Sequence, residues 1–111
     1  MRKYNIMVTG VGAIIGYGII HSLRRSKYEV NIIGTDIYAD AVGQEWCDRF
    51  VVAVPAADEG YPQFLMECME KHKIDLVFFG TEQEITAACA AKEAFGGLYR
   101  LDKSHKHLSG R

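Results

Sequence analysis

The residues best suited to chemistry fall in three short stretches: "TGVGAIIG" at 9–16, "GTD" at 34–36 and "GTEQE" at 80–84. In the first, Gly10, Val11, Gly12 and Gly16 follow an apolar run. Glycine tolerates positive φ and bares backbone N–H groups, so the stretch could cradle an anion. Tight β–α turns demand glycine even without a ligand, so both uses stay open. Asp36 closes a second apolar run, where a carboxylate could bond a ribose hydroxyl or only shape a turn. Thr81 and Glu84 have capping-box spacing, the better account of Glu84, and Thr81 is also a ligand candidate of the third stretch.

The remaining candidates have plainer explanations. His105 and His107 form an H-x-H with no third ligand nearby, in a polar stretch expected to be solvated. Cys47, Cys68 and Cys89 are odd in number and lack a C-x-x-C pair, so they read as reduced thiols. No base partners Cys47, and Cys68 with Met69 suits packing. Asp40, Glu45 and Asp48 read as a solvated loop face. His72 falls at a helix C-terminus, where the dipole favours its charged form. No catalytic residue, metal site or cofactor of its own is expected for this chain.

Strands and helices must place the three stretches. "YNIMVTG", "EVNIIGTD", "RFVVAVP" and "IDLVFFG" are short apolar runs that read as buried strands. Helices are expected from about Gly16 to Ser26, over "YPQFLMECMEKHK" with Pro62 in its first turn, and over "TEQEITAACAAKEAFGG" to Gly96–Gly97. Residues 37–48 predict a short helix or an irregular turn. Connections of this length require parallel strands with right-handed crossovers. The expectation is therefore α/β: a half-Rossmann, doubly wound parallel sheet of about four strands, ordered 3-2-1-4, with helices on both faces. The domain spans 1–97, and 98–111 form a polar tail expected to be partly disordered. Strands one and four flank the reversal of strand order, which brings the three stretches to one crevice.

The 111 residues are 49% apolar and 24% charged with a formal net charge of −1, which suits one globular domain and gives no nucleic-acid or membrane footprint. A cytoplasmic chain is expected. The glycine spacing argues against a dinucleotide, because G-x-G-x-x-G needs its third glycine at Ile15 and finds it at Gly16. Asp36 also lies farther along than the usual ~20 residues. "TGVGAIIG" is close to the "TGxxGxxG" of extended short-chain dehydrogenases, with Ala13 at the middle glycine. Tyr99 and Lys103 imitate that family's Y-x-x-x-K pair, but far from its usual place. A Rossmann-like NAD(P)- or nucleotide-binding module is the alternative reading.

Taken together, "IMVTGVGAIIGYGIIHSLRRS", "YEVNIIGTDI" and "IDLVFFGTEQEI" resemble the pre-ATP-grasp domain of ATP-grasp ligases, nearest the carbamoyl-phosphate-synthase large-chain-like members. The likeness covers roughly residues 4–95. It implies one wall of an acceptor-substrate site, with Gly10, Val11 and Gly12 near a small-molecule acceptor and Glu82 as an acid that holds it. It also implies ATP and Mg²⁺ in a following ATP-grasp domain, supplied in cis or in trans, which these residues do not include. An exposed edge at the fourth strand, or the small-residue face Ala87, Ala88 and Ala91 of the last helix, would favour a homo-oligomer. The chain alone is expected to hydrolyse no ATP, because no segment supplies a nucleotide clamp with Mg²⁺ ligands. Turnover that co-purifies in proportion to the chain contradicts this.

Overall fold

The computed structural model describes residues 3–94. Strand β1 (Lys3–Thr9) leads into helix α1 (Ile14–Arg24), followed by β2 (Glu29–Asp36) and a 3₁₀ helix (Val42–Trp46). Then come β3 (Arg49–Val52), α2 (Tyr61–Lys71), β4 (Leu76–Phe78) and α3 (Glu82–Ala94). All strand pairs are parallel and the order is β3-β2-β1-β4. This is the half-Rossmann sheet that the apolar runs and their spacing imply. The tail, with Tyr99, Lys103, His105 and His107, lies outside the described residues, as does the Gly96–Gly97 helix end.

Alternation along β1 divides the core in two. Ile6 and Val8 face α1 with Val11, Ile20, Val30 and Ile32, whereas Met7 faces α2 and α3 with Tyr61, Leu65, Cys68, Val77 and Ala88. A parallel sheet covered on both faces needs apolar residues at successive positions, which is why "IMV" and "NIIG" lack polar alternation. Ala88 is fully buried and Ala87 packs against the same core, so these alanines let α3 lie on its own chain.

Boundaries move where local chemistry overrides periodicity. Helix α1 begins at Ile14 rather than near Gly16, because Ala13 N–H already turns back to the Gly10 carbonyl and Tyr17 N–H reaches Ala13. The third and fourth strands are shorter than their apolar runs, with only four and three residues in the sheet. Past β3, Ala53 still donates to the Asp36 carbonyl before Pro55 ends the strand direction. The undecided 37–48 segment resolves into the 3₁₀ turn, fixed by Gln44, whose side-chain amide donates to the Ala39 and Ala41 carbonyls. His72 departs from the dipole expectation. Burial, then the Lys71 and Arg49 charges, push its pKa below the usual histidine value.

Asp48, read in the sequence as solvated, is a brace. It accepts the Ile32 N–H at 2.7 Å and the Arg24 guanidinium at 3.1 Å, while Arg24 also donates to the Trp46 carbonyl. This ties the end of α1 to β2 and the 3₁₀ turn. Burial alone would raise the Asp48 pKa, but the Ile32 N–H and Arg24 outweigh it and hold the carboxyl below the usual range. A depressed carboxylate stabilises the fold fully above the unfolded value near 4 and loses that contribution as pH falls through the folded value. The urea midpoint should therefore fall below pH 4, and Asp48→Asn should flatten that acid limb.

Two glycines set the close packing at the carboxyl edge of β1 and β4. A Cβ on Gly16 would overlap the Gly10 carbonyl oxygen, and one on Gly80 would overlap that of Thr9 while lying 3.0 Å from Gly16 Cα. Gly16→Ala and Gly80→Ala should each lower stability by about 1–3 kcal/mol through overpacking, read as a reduced urea midpoint at unchanged slope.

Candidate functional site

At the carboxyl ends of the strands, the turn after β1 is held on every side. Gly10 takes φ +63°, which no β-branched residue adopts without strain. Val11 N–H donates to the Thr35 carbonyl at 3.1 Å, Gly12 N–H to Asp36 Oδ2 at 2.8 Å, and Ala13 N–H to the Gly10 carbonyl at 2.9 Å. Three successive donors of the glycine stretch are thus engaged within the protein. What faces outward from this turn is the first turn of α1.

Asp36 ends β2 and is 8% exposed. Oδ2 receives Gly12, and Oδ1 receives Tyr38 N–H at 3.0 Å, an Asx turn that starts the descent to the 3₁₀ helix. It is therefore a turn residue that also latches the glycine loop to β2. A carboxylate has about four acceptor positions, so two remain for a ligand.

Glu84 anchors the opposite side and is 7% exposed. Oε1 accepts the Thr9 hydroxyl at 2.7 Å and the Thr81 hydroxyl at 2.9 Å, and Oε2 accepts the Tyr61 hydroxyl at 3.3 Å. Thr81 Oγ1 accepts Glu84 N–H at 3.2 Å, the threonine half of a capping box at the start of α3. Thr9 Oγ1 accepts Gly80 N–H at 3.1 Å, which ties the ends of β1 and β4 together. Glu84 is thus a helix cap and the centre of a buried hydroxyl cluster at once.

Between these walls lies a crevice of about 930 Å³. Of the expected ligand residues, Gly10, Gly12, Asp36 and Thr81 line it. Val11 is fully buried in the α1-side core, Gly16 is buried against Gly10, and Glu82 is exposed on α3 outside the lining. Glu84 and Asp40 line it instead, together with apolar Ile37, Val42 and Pro55. Sequence reasoning assigned Glu84 to capping alone; its second role depends on Tyr61 and Thr9, which are remote in the chain. No lysine, arginine or histidine lines the crevice among the described residues.

Cys47 is half-buried and donates to the Gly43 carbonyl. Burial, only partly offset by Arg24, pushes its thiol up to about 11, so it is an unreactive packing group. Burial also raises Cys68. Among the described residues no group of three or more His, Cys, Asp and Glu side chains could hold a metal ion, and no helix is long and apolar enough to cross a membrane.

No protein-family model and no curated protein sequence matches the chain. Among solved structures it is similar to the dTDP-glucose 4,6-dehydratase of Bacillus anthracis in complex with NAD, at 14% identity and a TM-score of 0.59. The match covers 83% of this chain and 34% of that one, so the chain spans about a third of the dehydratase. The fold is Rossmann-like. Within it, Gly10 and Gly16 take the first and last glycine places of the "TGxxGxxG" frame, and Gly16 serves there to seat α1 on the turn.

Thr9 is the most sensitive polar position of the site. Thr9→Val removes a donor from Glu84 and an acceptor from Gly80 N–H, leaving buried groups short of partners. A loss of about 1–3 kcal/mol is expected in chemical denaturation.

Proposed function

We propose that this chain is the substrate-side, Rossmann-like domain of an ATP-grasp carbon–nitrogen ligase, of the carbamoyl-phosphate-synthase large-chain-like kind, and that its crevice forms one wall of the acceptor site. The observation that carries the reading is the electrostatic and hydrogen-bonding state of the glycine turn. The N–H groups of Val11, Gly12 and Ala13 are engaged internally, and the crevice beside them is lined by Asp36, Asp40 and Glu84 with no basic side chain. Such a turn supports a wall that shapes a small-molecule site better than one that grips a polyphosphate. ATP and Mg²⁺ belong, on this reading, to a second domain that supplies the phosphoryl chemistry, with this cytoplasmic chain positioning the acceptor.

A second reading, a NAD(P)- or nucleotide-binding module related to short-chain dehydrogenases, has the fold likeness on its side, since the similar dehydratase was solved with NAD. Asp36 at the end of β2, with acceptor capacity in reserve, also favours it. The residues present fit a pyrophosphate poorly. Besides the engaged donors, Ala13 carries a Cβ at a lining position where the dehydrogenase frame has glycine.

Calorimetry with NAD⁺, NADH, NADP⁺ and NADPH separates the two. Binding weaker than about 10 μM, or roughly −7 kcal/mol, is expected for all four; tighter binding transfers the assignment to the nucleotide-binding module. The reading frame following residue 111, or an adjacent one, is expected to encode an ATP-grasp clamp.

A further inference from the structure

The surface beside the glycine turn is apolar where a lone chain has no use for it. Ile14 is 90% exposed, Val42 71% and Ile15 63%, and Tyr17 and Trp46 stand exposed with them along α1 and the 3₁₀ helix. Single exposed apolar residues are ordinary, but five on two adjoining elements make a patch of the kind that other protein covers. Its aromatic half is already set in place. The His21 ring lies between those of Tyr17 and Trp46, with centroids 4.4 and 4.7 Å away, and Arg24 Nε donates to the Trp46 carbonyl at 3.1 Å. Aromatic side chains fixed in advance lose little freedom when covered, which suits them as anchors of an interface.

Gly18 is a second and independent observation. It sits inside α1 on the exposed side, four residues after Ile14, and a Cβ there would meet nothing within 4 Å. Gly16 is bare because the Gly10 carbonyl leaves no room, whereas Gly18 has no such reason within the chain. Glycine inside a helix is unfavourable relative to alanine, so its use here is a close approach from outside. Charge indicates what approaches. Helix α1 holds no acidic residue, and Arg25 follows its end on the same stripe as Ile14 and Gly18. Asp40 and Glu45, both exposed, flank Val42 and Trp46 on the neighbouring element. Among the described residues the ion pair is Arg24 with Asp48, which leaves Arg25, Asp40 and Glu45 unpaired. The face carries both halves of its own complement, so it fits a second copy of itself about a two-fold axis.

We infer that the chain forms a symmetric dimer through α1, two copies crossing antiparallel at Gly18, with Ile14 and Trp46 buried in the contact and Arg25 of each copy facing Asp40 of the other. Seven residues at ~1.5 Å each set Arg25 about 10 Å along the axis from Gly18, level with residue 11 of the second copy. Asp40 lies at that level, lining the crevice beside Gly12 and Ala13. The second copy thereby brings a cation to the mouth of a crevice whose described lining has none. One helix and one turn per copy make a small contact, below about 1,200 Å² in total, which is the range of weak association. The dimer stands apart from the acceptor-site reading, whatever the crevice binds.

Sedimentation equilibrium of the full chain up to about 300 μM should show a reversible monomer–dimer equilibrium with a dissociation constant of ~1–100 μM, as weak interfaces give. Ile14→Asp places an acid where the helix dipole favours one, so the fold should hold while association weakens roughly tenfold or more. Arg25→Asp should weaken it likewise by setting like charges together, and adding Asp40→Arg to that variant should restore it. Gly18→Ala tells an interface from a merely structural role. Its methyl enters open space in the monomer and should raise the urea midpoint measured below the dissociation constant, yet weaken dimerisation roughly threefold or more. A chain that stays monomeric at the highest concentration overturns the dimer. So does a dimer that Ile14→Asp leaves intact, since it must pair through another surface. A charge swap that restores nothing overturns the antiparallel register. Should a charged variant fail to fold, the opposite signs expected of Gly18→Ala decide the matter.

Discussion

The close approach of Gly10, Gly16 and Gly80 is the constraint on which the rest of this structure depends. Helix α1 can start directly beyond β1 only because Gly16 lets its backbone rest on the Gly10 carbonyl. The turn after β4 can close on the same point only because Gly80 is equally bare. Side chains at either position would push the two halves of the sheet's carboxyl edge apart, since interiors this dense have no slack to absorb a methyl group. The crevice is what remains open above that contact.

Polar groups then lock the edge that the glycines bring together. Asp36 latches the first turn to β2, and Glu84 gathers hydroxyls from β1, α2 and the start of α3. Buried carboxylates are costly unless hydrogen-bonded, so each depends on the donors that hold it. This couples the shape of the crevice to the fold as a whole. The Asp36 bond also engages the Gly12 N–H, while the Thr35 and Gly10 carbonyls engage those of Val11 and Ala13.

The fold likeness and the site pull in different directions for a physical reason. A Rossmann-like sheet always opens a crevice where strand order reverses, whatever it binds. The dehydratase shares that architecture at 14% identity, which speaks to backbone path and not to the side chains facing the opening. The acidic lining and the Ala13 methyl are properties of this chain.

Much of the architecture was legible in the sequence because it follows from local rules. Four apolar runs too short for helices, separated by helical spacings, leave a parallel sheet as the arrangement that buries both faces, and the order β3-β2-β1-β4 follows from right-handed crossovers. The Thr81–Glu84 box and the β2 segment ending at Asp36 were equally readable, since both depend on neighbours in the chain. Strand ends were less so. Hydrophobicity persists through Ala53 and Phe79, whereas pairing stops at Val52, where β2 ends, and at Phe78, one residue short of the end of β1. The second role of Glu84, and those of Asp48 and Glu82, lay beyond sequence reading. Glu84 becomes the centre of the site through Thr9 and Tyr61, Asp48 becomes a brace through Arg24 and Ile32, and Glu82 turns to the outside of α3. The sequence by itself determined which segments form the sheet and where its strand order reverses, because those depend on residues a few positions apart. Only the tertiary structure decided which carboxylates face the crevice and which backbone donors are already engaged, because those depend on partners the chain brings together from far away.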